Sequence, residues 1–278
     1  MRREYQIIPG KMERHLFGSS KSIVGMLHVP ALPGSPQNTL EFKAIVDWVL
    51  KDAEALAGAG LDAWILENFG DAPFYPRRVP AHTVAFMTAI GCEVRRRFDL
   101  PLGINVLRND AESALAVASA VGAEFIRVNI HTGARLTDQG LIEGNAHESL
   151  RYRELLGGGV KIFADVDVKH SAPVAPRELK DEVEETVSRG CADAIIVTGA
   201  ATGKRTALED LKKAKEASGA APVFAGSGVD ESNLADVLQL ADGLIVGTAF
   251  KHEGVTANAV DVGRVRSFMA AVRRLDRK

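Results

Sequence analysis

Eight short apolar runs, separated by helix-like stretches, limit this chain to very few architectures. They are SIVGMLHV from Ser22, GLDAWILEN from Gly60, PLGINVL from Pro101, GAEFIRVN from Gly122, VKIFADVDV from Val160, GCADAIIVTG from Gly190, PVFAGSG from Pro222 and LADGLIVGT from Leu240. Four of them, at Gly60, Gly122, Gly190 and Leu240, carry an acidic residue at the junction (Asp62, Glu124, Asp193 and Asp242) before turning apolar. The stretches between have helical character on local grounds. From Thr39 to Ala57, an apolar stripe runs through Ile45, Trp48, Val49, Ala53 and Leu56; Glu178 to Ser188 is charged and free of Gly and Pro. Ser232 to Leu240 follows Asp230, a capping residue type. Strands that alternate strictly with helices pair in parallel through right-handed crossovers. Eight such units close into a (β/α)8 barrel more readily than they spread into a doubly wound sheet, the alternative. Barrels of about 250 residues commonly form one unit. With no linker or low-complexity run, residues 1–278 read as a single α/β domain, a (β/α)8 TIM barrel with an extension before Ser22.

Bulk properties narrow the function. A formal net charge of −2 lacks the basic excess of a nucleic-acid surface, while leaving room for a small anionic ligand. Cys92 and Cys191 form no CxxC pair, which fits a reducing, cytoplasmic setting. The first residues, MRREYQIIPGKMERHLF, lack the apolar stretch of a secretory leader. No window approaches ~20 consecutive apolar residues, so no spanning helix is expected. The last segment places Val265, Phe268, Met269, Val272 and Leu275 at helical spacing with arginines between, as in a packed terminal helix. Barrels commonly form symmetric homo-oligomers, and a homo-oligomer is expected here, with the segment before Ser22 a candidate interface.

The fifth run sets a problem. KIFADVDVKH puts Asp165, Asp167 and Lys169 at alternate positions of an apolar strand, hence on one face. Burying them costs energy unless they are paired, bound to a ligand or wet. In a barrel, active sites gather at the carboxyl ends of the strands, so these three are expected to line the mouth. The plainer reading is a structural charge network. Other strand ends supply His28; Glu67 with Asn68; Asn105 with Arg108; Arg127, Asn129 and His131; and Thr198 followed by GAATGKRT, which lacks the spacing of a nucleotide-binding P-loop. Each has a plain alternative: His28 as a structural histidine, Glu67 as the partner of Arg108 or Lys169, the asparagines as loop ties. Arg77 and Arg78, in FGDAPFYPRRVP, read as solvated. Glycine-rich AGSGVDESN and VGTAFKHEG follow the seventh and eighth runs, where this fold often binds phosphate. Gly226, Ser227, Gly228, Gly247 and Thr248 are the phosphate candidates, assisted by a helix starting near Glu231.

GMLHVPALPGSP, ENFGDAPF, GINVLRNDA, RVNIHTGARLTDQGLIEG, ADVDVKHSAP, VTGAATG and the final GSGV with VGT, in that order, resemble the BtpA/SgcQ family. The likeness runs from about the first strand to the last; GTAFKHEG is less regular than the family's usual ending. The resemblance implies a phosphate-binding barrel of the ribulose-phosphate-binding kind. It brings two functional labels: a factor for photosystem I stabilisation or assembly, associated peripherally with membranes, and a nucleoside triphosphatase or sugar-linked enzyme. The leading expectation is an enzyme acting on a small phosphorylated metabolite, with hydrolase, isomerase and lyase chemistry all open. Asp165 or Asp167 would serve as base or help bind a divalent cation, with Glu67 as a further ligand; Lys169 would stabilise negative charge, lower a neighbouring carboxylate's pKa or become an imine-forming amine, and His28 would be a second acid–base group. Acids beside Lys169 would hold it in its charged, unreactive form. Mg²⁺ is the candidate cation, on Asp165, Asp167 and Glu67, although two Asp at strand spacing make no strong metal motif. The rival is a non-catalytic factor that binds a membrane-protein complex through its surface.

Overall fold

A barrel strand facing helices outside and side chains inside is apolar at nearly every position, and that explains why each of the eight runs becomes one. The computed structural model describes residues 21–199 and 207–275. In chain order, the elements are β1 (Ser22–His28), α1 (Phe42–Ala57), β2 (Ala63–Glu67), α2 (Ala81–Arg97), β3 (Leu102–Asn105), α3 (Ala111–Val121), β4 (Phe125–Val128), β5 (Ala134–Thr137) and β6 (Gly140–Glu143). There follow α4 (Ala146–Leu155), β7 (Lys161–Val166), β8 (Ser171–Pro173), α5 (Leu179–Ser188), β9 (Ala194–Val197), α6 (Leu208–Ala217), β10 (Val223–Ala225), α7 (Leu234–Leu240), β11 (Gly243–Val246) and α8 (Val262–Leu275). Strands β1, β2, β3, β4, β7, β9, β10 and β11 pair in that order, all parallel, and β11 returns to β1 to close the barrel. The (β/α)8 expectation holds, and the open sheet is ruled out by closure.

The four junction acids act as clamps at the amino-terminal rim. Asp62 Oδ2 accepts from the Ile23 amide at 2.7 Å, Glu124 Oε2 from Leu102 at 2.6 Å, Asp193 Oδ2 from Ile162 at 2.9 Å and Asp242 Oδ2 from Val223 at 2.8 Å. The backbone N–H of each acid donates back to the carbonyl of the same residue, at 2.7 to 3.0 Å. Each even-numbered barrel strand is thus tied at its start to the one before it.

Inside the barrel, residues of one parity meet. Val24, Met26, Ala63, Ile65, Phe125, Phe163, Ala194, Ile196, Phe224 and Ile245 form an apolar cluster of their own, separate from the shell between strands and helices. Phe125 stacks on Phe163 with ring centroids 4.4 Å apart, and Phe163 lies 5.2 Å from Phe224. Gly103 and Gly243 leave room for these rings: a Cβ on either would come within 2.3 Å of Phe125 or Phe224. This floor closes the lower lumen.

Two insertions at the carboxyl end have no counterpart in the repeat. The β5–β6 hairpin and the short β8 build a three-stranded antiparallel sheet, ordered β6-β5-β8, which the periodicity reading did not anticipate. Near the other side of the mouth, the segment between β11 and α8 is pinned to α1: Lys251 Nζ donates to Asp52 Oδ2 at 2.6 Å, and the Val260 amide donates to Asp52 Oδ1 at 2.8 Å. Among the described residues, no helix is long and apolar enough to cross a membrane. Residues 1–20 of the extension and residues 200–206 of the GAATGKRT loop lie outside the described residues.

Candidate active site

Continuing the lumen parity above the apolar floor replaces carbon with polar atoms. His28, Glu67 and Asn105 end three adjacent strands in register. Asn105 Nδ2 donates to Glu67 Oε2 at 2.6 Å, which leaves Glu67 Oε1 facing His28 Nε2 at 3.7 Å. Phe69 stacks on the His28 ring at 4.5 Å and fixes its plane. Across the lumen, Arg127 grips Asp165 with two parallel bonds, Nε to Oδ1 and Nη2 to Oδ2, both 3.0 Å. Asn129 Nδ2 adds a third bond to Asp165 Oδ2 at 2.8 Å.

A cavity of about 180 Å³ opens above this layer. Its walls include His28, Glu67, Phe69, Arg127 and Lys169, and its other side is built from Gly226–Asp230, Val246–Ala249 and Arg264. All five phosphate candidates line it. Their parts differ, however. The Gly226 amide already donates to Val197 O at 2.8 Å, and a Cβ there would meet Ile196 at 2.4 Å, so this glycine serves packing. Gly228 adopts φ +66°, a left-handed turn that favours glycine, and its carbonyl accepts from Asn233 Nδ2 at 2.9 Å. Ser227 Oγ accepts from the Gly199 amide at 2.8 Å, and the Thr248 hydroxyl shares a 2.9 Å bond with Thr256. No helix starts at Glu231: residues 231–233 form a turn organised by Asp230, whose Oδ1 accepts from the Ser232 amide at 2.9 Å, and α7 begins at Leu234. With only seven residues, α7 adds little dipole.

Burial sets the protonation states. It drives the His28 pKa well below the ordinary histidine value, with the Lys251 and Lys169 charges adding to the effect. Burial likewise lowers Lys169, helped by the Arg127 charge and opposed by Glu67 and Asp165. For Arg127, burial disfavours the charge, but the Asp165 carboxylate outweighs it and holds the pKa above the usual value. The wall thus offers a neutral imidazole, a weakened ammonium and a firmly charged guanidinium.

Several predicted site residues stand elsewhere. Asp167 does not share the face of Asp165: β7 ends at Val166, Asp167 takes φ 44°, and its exposed side chain meets Arg135 Nη2 at 2.5 Å outside the lumen. The proposed Mg²⁺ ligands therefore do not converge, since Asp165 is occupied by Arg127 and Asn129, and Asp167 points away. Among the described residues, no group of three His, Cys, Asp or Glu side chains is placed to hold a metal ion. Asp165 supports Arg127 rather than facing the cavity as a base. Asn68 is a loop tie, accepting from the Leu107 amide at 2.7 Å and donating to Asp71 at 3.1 Å. His131 is buried against Gly190 O at 2.8 Å, beside α5. Thr198 Oγ1 accepts from the Lys169 amide at 3.2 Å. Arg77 and Arg78 pair with Glu143 and Glu112 on the surface.

Sequence reasoning missed Arg264, Phe69 and Asn233. Arg264 lies in the first turn of α8, its Nε donating to Ala249 O at 2.8 Å. The usable signal was an arginine at the start of the helix after the last glycine turn. Nothing in the local pattern marks Phe69 or Asn233.

The family model for the BtpA family matches residues 19–274. The photosystem I biogenesis protein BtpA of Synechocystis sp. is 47% identical over 256 residues, 92% of this chain and 89% of that protein. An uncharacterised protein of Pyrococcus furiosus is 43% identical over 89% of this chain and 93% of its own length. Another, from Caenorhabditis elegans, is 36% identical over 94% and 97%. Among solved structures, N-(5'-phosphoribosyl)anthranilate isomerase from Pyrococcus furiosus superposes with a TM-score of 0.56 at 12% identity, covering 91% of this chain and 99% of that one. A KDPGal structure gives 0.52 at 17% identity, covering 92% and 94%. At such identities, the structural likeness establishes the barrel alone.

Proposed function

The chain belongs to the BtpA family, and we propose that it is an enzyme acting on a small phosphorylated metabolite, a sugar phosphate or nucleotide-derived phosphate, in a barrel of the phosphate-binding type. One observation carries this reading: a single cavity is lined by the glycine turns after β10 and β11, by three cationic side chains (Arg127, Lys169 and Arg264), and by the His28–Glu67 pair. The turn at Ser227–Gly228 and the one at Gly247–Thr248, with Arg264, hold the phosphate. Arg127, oriented by Asp165, and Lys169 stabilise negative charge that develops on the substrate. His28, neutral at physiological pH, accepts a proton, and Glu67, steered by Asn105, stabilises the imidazolium that results.

The test is thermal stabilisation across a panel of phosphorylated sugars and nucleotides, with and without Mg²⁺. Selective stabilisation of the wild type, reduced in Arg264→Gln, supports the reading. No shift with any phosphorylated compound overturns it.

The name of the Synechocystis relative favours a second reading, an assembly or stabilisation factor for a membrane-protein complex. The surface to test is the small sheet, where Leu136 and Leu141 face each other across β5 and β6 and are 57% and 51% exposed. That reading predicts loss of biological activity in Leu136→Ser with Leu141→Ser, and none in His28→Gln.

A further inference from the structure

We propose that the Lys169 side chain is a nucleophilic amine, which adds to the carbonyl carbon of a short phosphorylated aldehyde or ketone in the cavity and forms an imine. The inference rests on the phosphometabolite reading and deepens it, because it narrows the substrate to one carrying a carbonyl.

The first argument is placement. Lys169 follows β7 through a turn with left-handed residues at Asp167 and His170. Its backbone is held on both sides: the amide donates to Thr198 Oγ1 at 3.2 Å, and the carbonyl accepts from Arg108 Nη2 at 2.7 Å. The root of the side chain is therefore fixed while the side chain lines the cavity. Phosphate seated on the glycine turns and Arg264 would direct the rest of a short ligand toward Lys169, His28 and Glu67.

The second argument is the company the amine keeps. Two lysines in this half of the barrel are largely buried, and they are treated differently. Lys251 is paired with Asp52 at 2.6 Å. For Lys169, no hydrogen bond or ion pair of the ammonium is found among the described residues. The two acids that should have kept it charged are spent: Asp165 receives three hydrogen bonds from Arg127 and Asn129, and Asp167 faces Arg135 on the outside. Burial, then the Arg127 charge and to a smaller extent Arg108, lowers the lysine pKa against the pull of Glu67 and Asp165. A desolvated lysine beside cations has a larger fraction of neutral amine, the form that attacks carbonyls.

The step balances with groups on the page. The amine lone pair forms the N–C bond as the carbonyl π pair moves to oxygen; nitrogen loses a proton and oxygen gains one, giving the carbinolamine. That hydroxyl then takes a second proton and leaves as water while nitrogen forms the C=N bond. No oxidant or reductant is consumed. His28 and Glu67, 3.7 Å apart on the same wall, carry these protons.

The experiment is reductive trapping on the full chain. The protein is incubated with glyceraldehyde 3-phosphate or dihydroxyacetone phosphate and sodium cyanoborohydride, then digested and mapped by mass spectrometry. The expected result is one reduced adduct on Lys169, suppressed by excess inorganic phosphate and absent from Lys169→Arg, which keeps the charge but not the nucleophile. Because the adduct is located in wild-type protein, the result stands even where the variant folds poorly. Glycerol 3-phosphate, which has no carbonyl, separates the two claims. If it stabilises the protein against heat but neither carbonyl compound labels Lys169, or labelling is spread over surface lysines, the imine is refuted and the phosphate site stands. If no phosphate compound shifts the melting midpoint and Lys169 is unlabelled, both are refuted.

Discussion

Asp165→Asn tests whether the carboxylate is a reactive group or the support of a buried guanidinium. Side-chain exposure is 3% for Arg127 and 0% for Asp165, and two bonds of 3.0 Å join them. An asparagine keeps the shape but presents an N–H to a donor that faced an oxygen, so one of the parallel bonds is lost and Arg127 is left without a counter-charge. Removing one partner of a buried ion pair typically costs about 3–5 kcal/mol. At roughly 2–4 °C per kcal/mol for a chain of this size, the midpoint falls by roughly 6–20 °C. Urea denaturation at pH 7.5 with a calorimetric scan measures both. A cycle with Arg127→Met and Asp165→Leu isolates the pair, and the double variant recovers part of the loss because no charge is left buried. The same change has a functional sign: an uncompensated Arg127 in the cavity wall gains more from an added anion, so phosphate stabilises Asp165→Asn more than it stabilises the wild type. A variant within about 0.5 kcal/mol of wild type would refute this account, because only a protonated or solvated Asp165 could be replaced so cheaply.

Two further outcomes follow from packing and protonation. Gly243→Ala forces a Cβ to within 2.3 Å of the Phe224 ring and 2.8 Å of the Ser22 carbonyl, and overpacking of this kind costs about 1–3 kcal/mol; Phe224→Leu in the same chain relieves the ring clash, as urea midpoints of the single and double variants will record. His28 has a native pKa below its unfolded value of about 6.5. Between those two values the unfolded chain binds a proton that the native one refuses, so stability falls as pH drops below about 6.5, by at most about 1.4 kcal/mol per pH unit. His28→Gln removes its share of that slope and leaves the share of His131 and His170, which burial also lowers, read from urea midpoints between pH 7.5 and 5.5.

The barrel was legible because its signal is redundant. Each strand repeats the same apolar run, and four repeat the same junction acid, whose meaning as a clamp on the preceding strand appeared only when Asp62, Glu124, Asp193 and Asp242 were seen bonded to backbone amides. Site residues within the strands were legible for the same reason: His28, Glu67, Asn105 and Arg127 keep the parity of the apolar positions below them. Past the strand ends, parity carries no information. Asn68 and His131 are polar residues in the right stretch of sequence, but loop geometry turns them toward Leu107 and Gly190. Arg264 reaches the cavity from the first turn of α8, past the end of the last strand, where parity no longer applies. The β5–β6 hairpin was hidden because its strands are four residues each and half polar.

The misreading of KIFADVDVKH has a chemical consequence beyond its geometry. Alternation assumed that the strand continued through Lys169, and on that assumption two carboxylates flanked the lysine and kept it protonated. The chain leaves the strand at Val166, and the left-handed Asp167 that ends it swings its own carboxylate out to Arg135. The same two residues of turn carry Lys169 back over the lumen, where Arg127 has already claimed Asp165. One local event therefore removes an acid from the site and leaves an amine whose pKa burial and the Arg127 charge lower, against the pull of Glu67 and Asp165. What the strand pattern presented as a charge-balanced triad is, in three dimensions, a closed ion pair, an outward carboxylate and a separate lysine on the cavity wall.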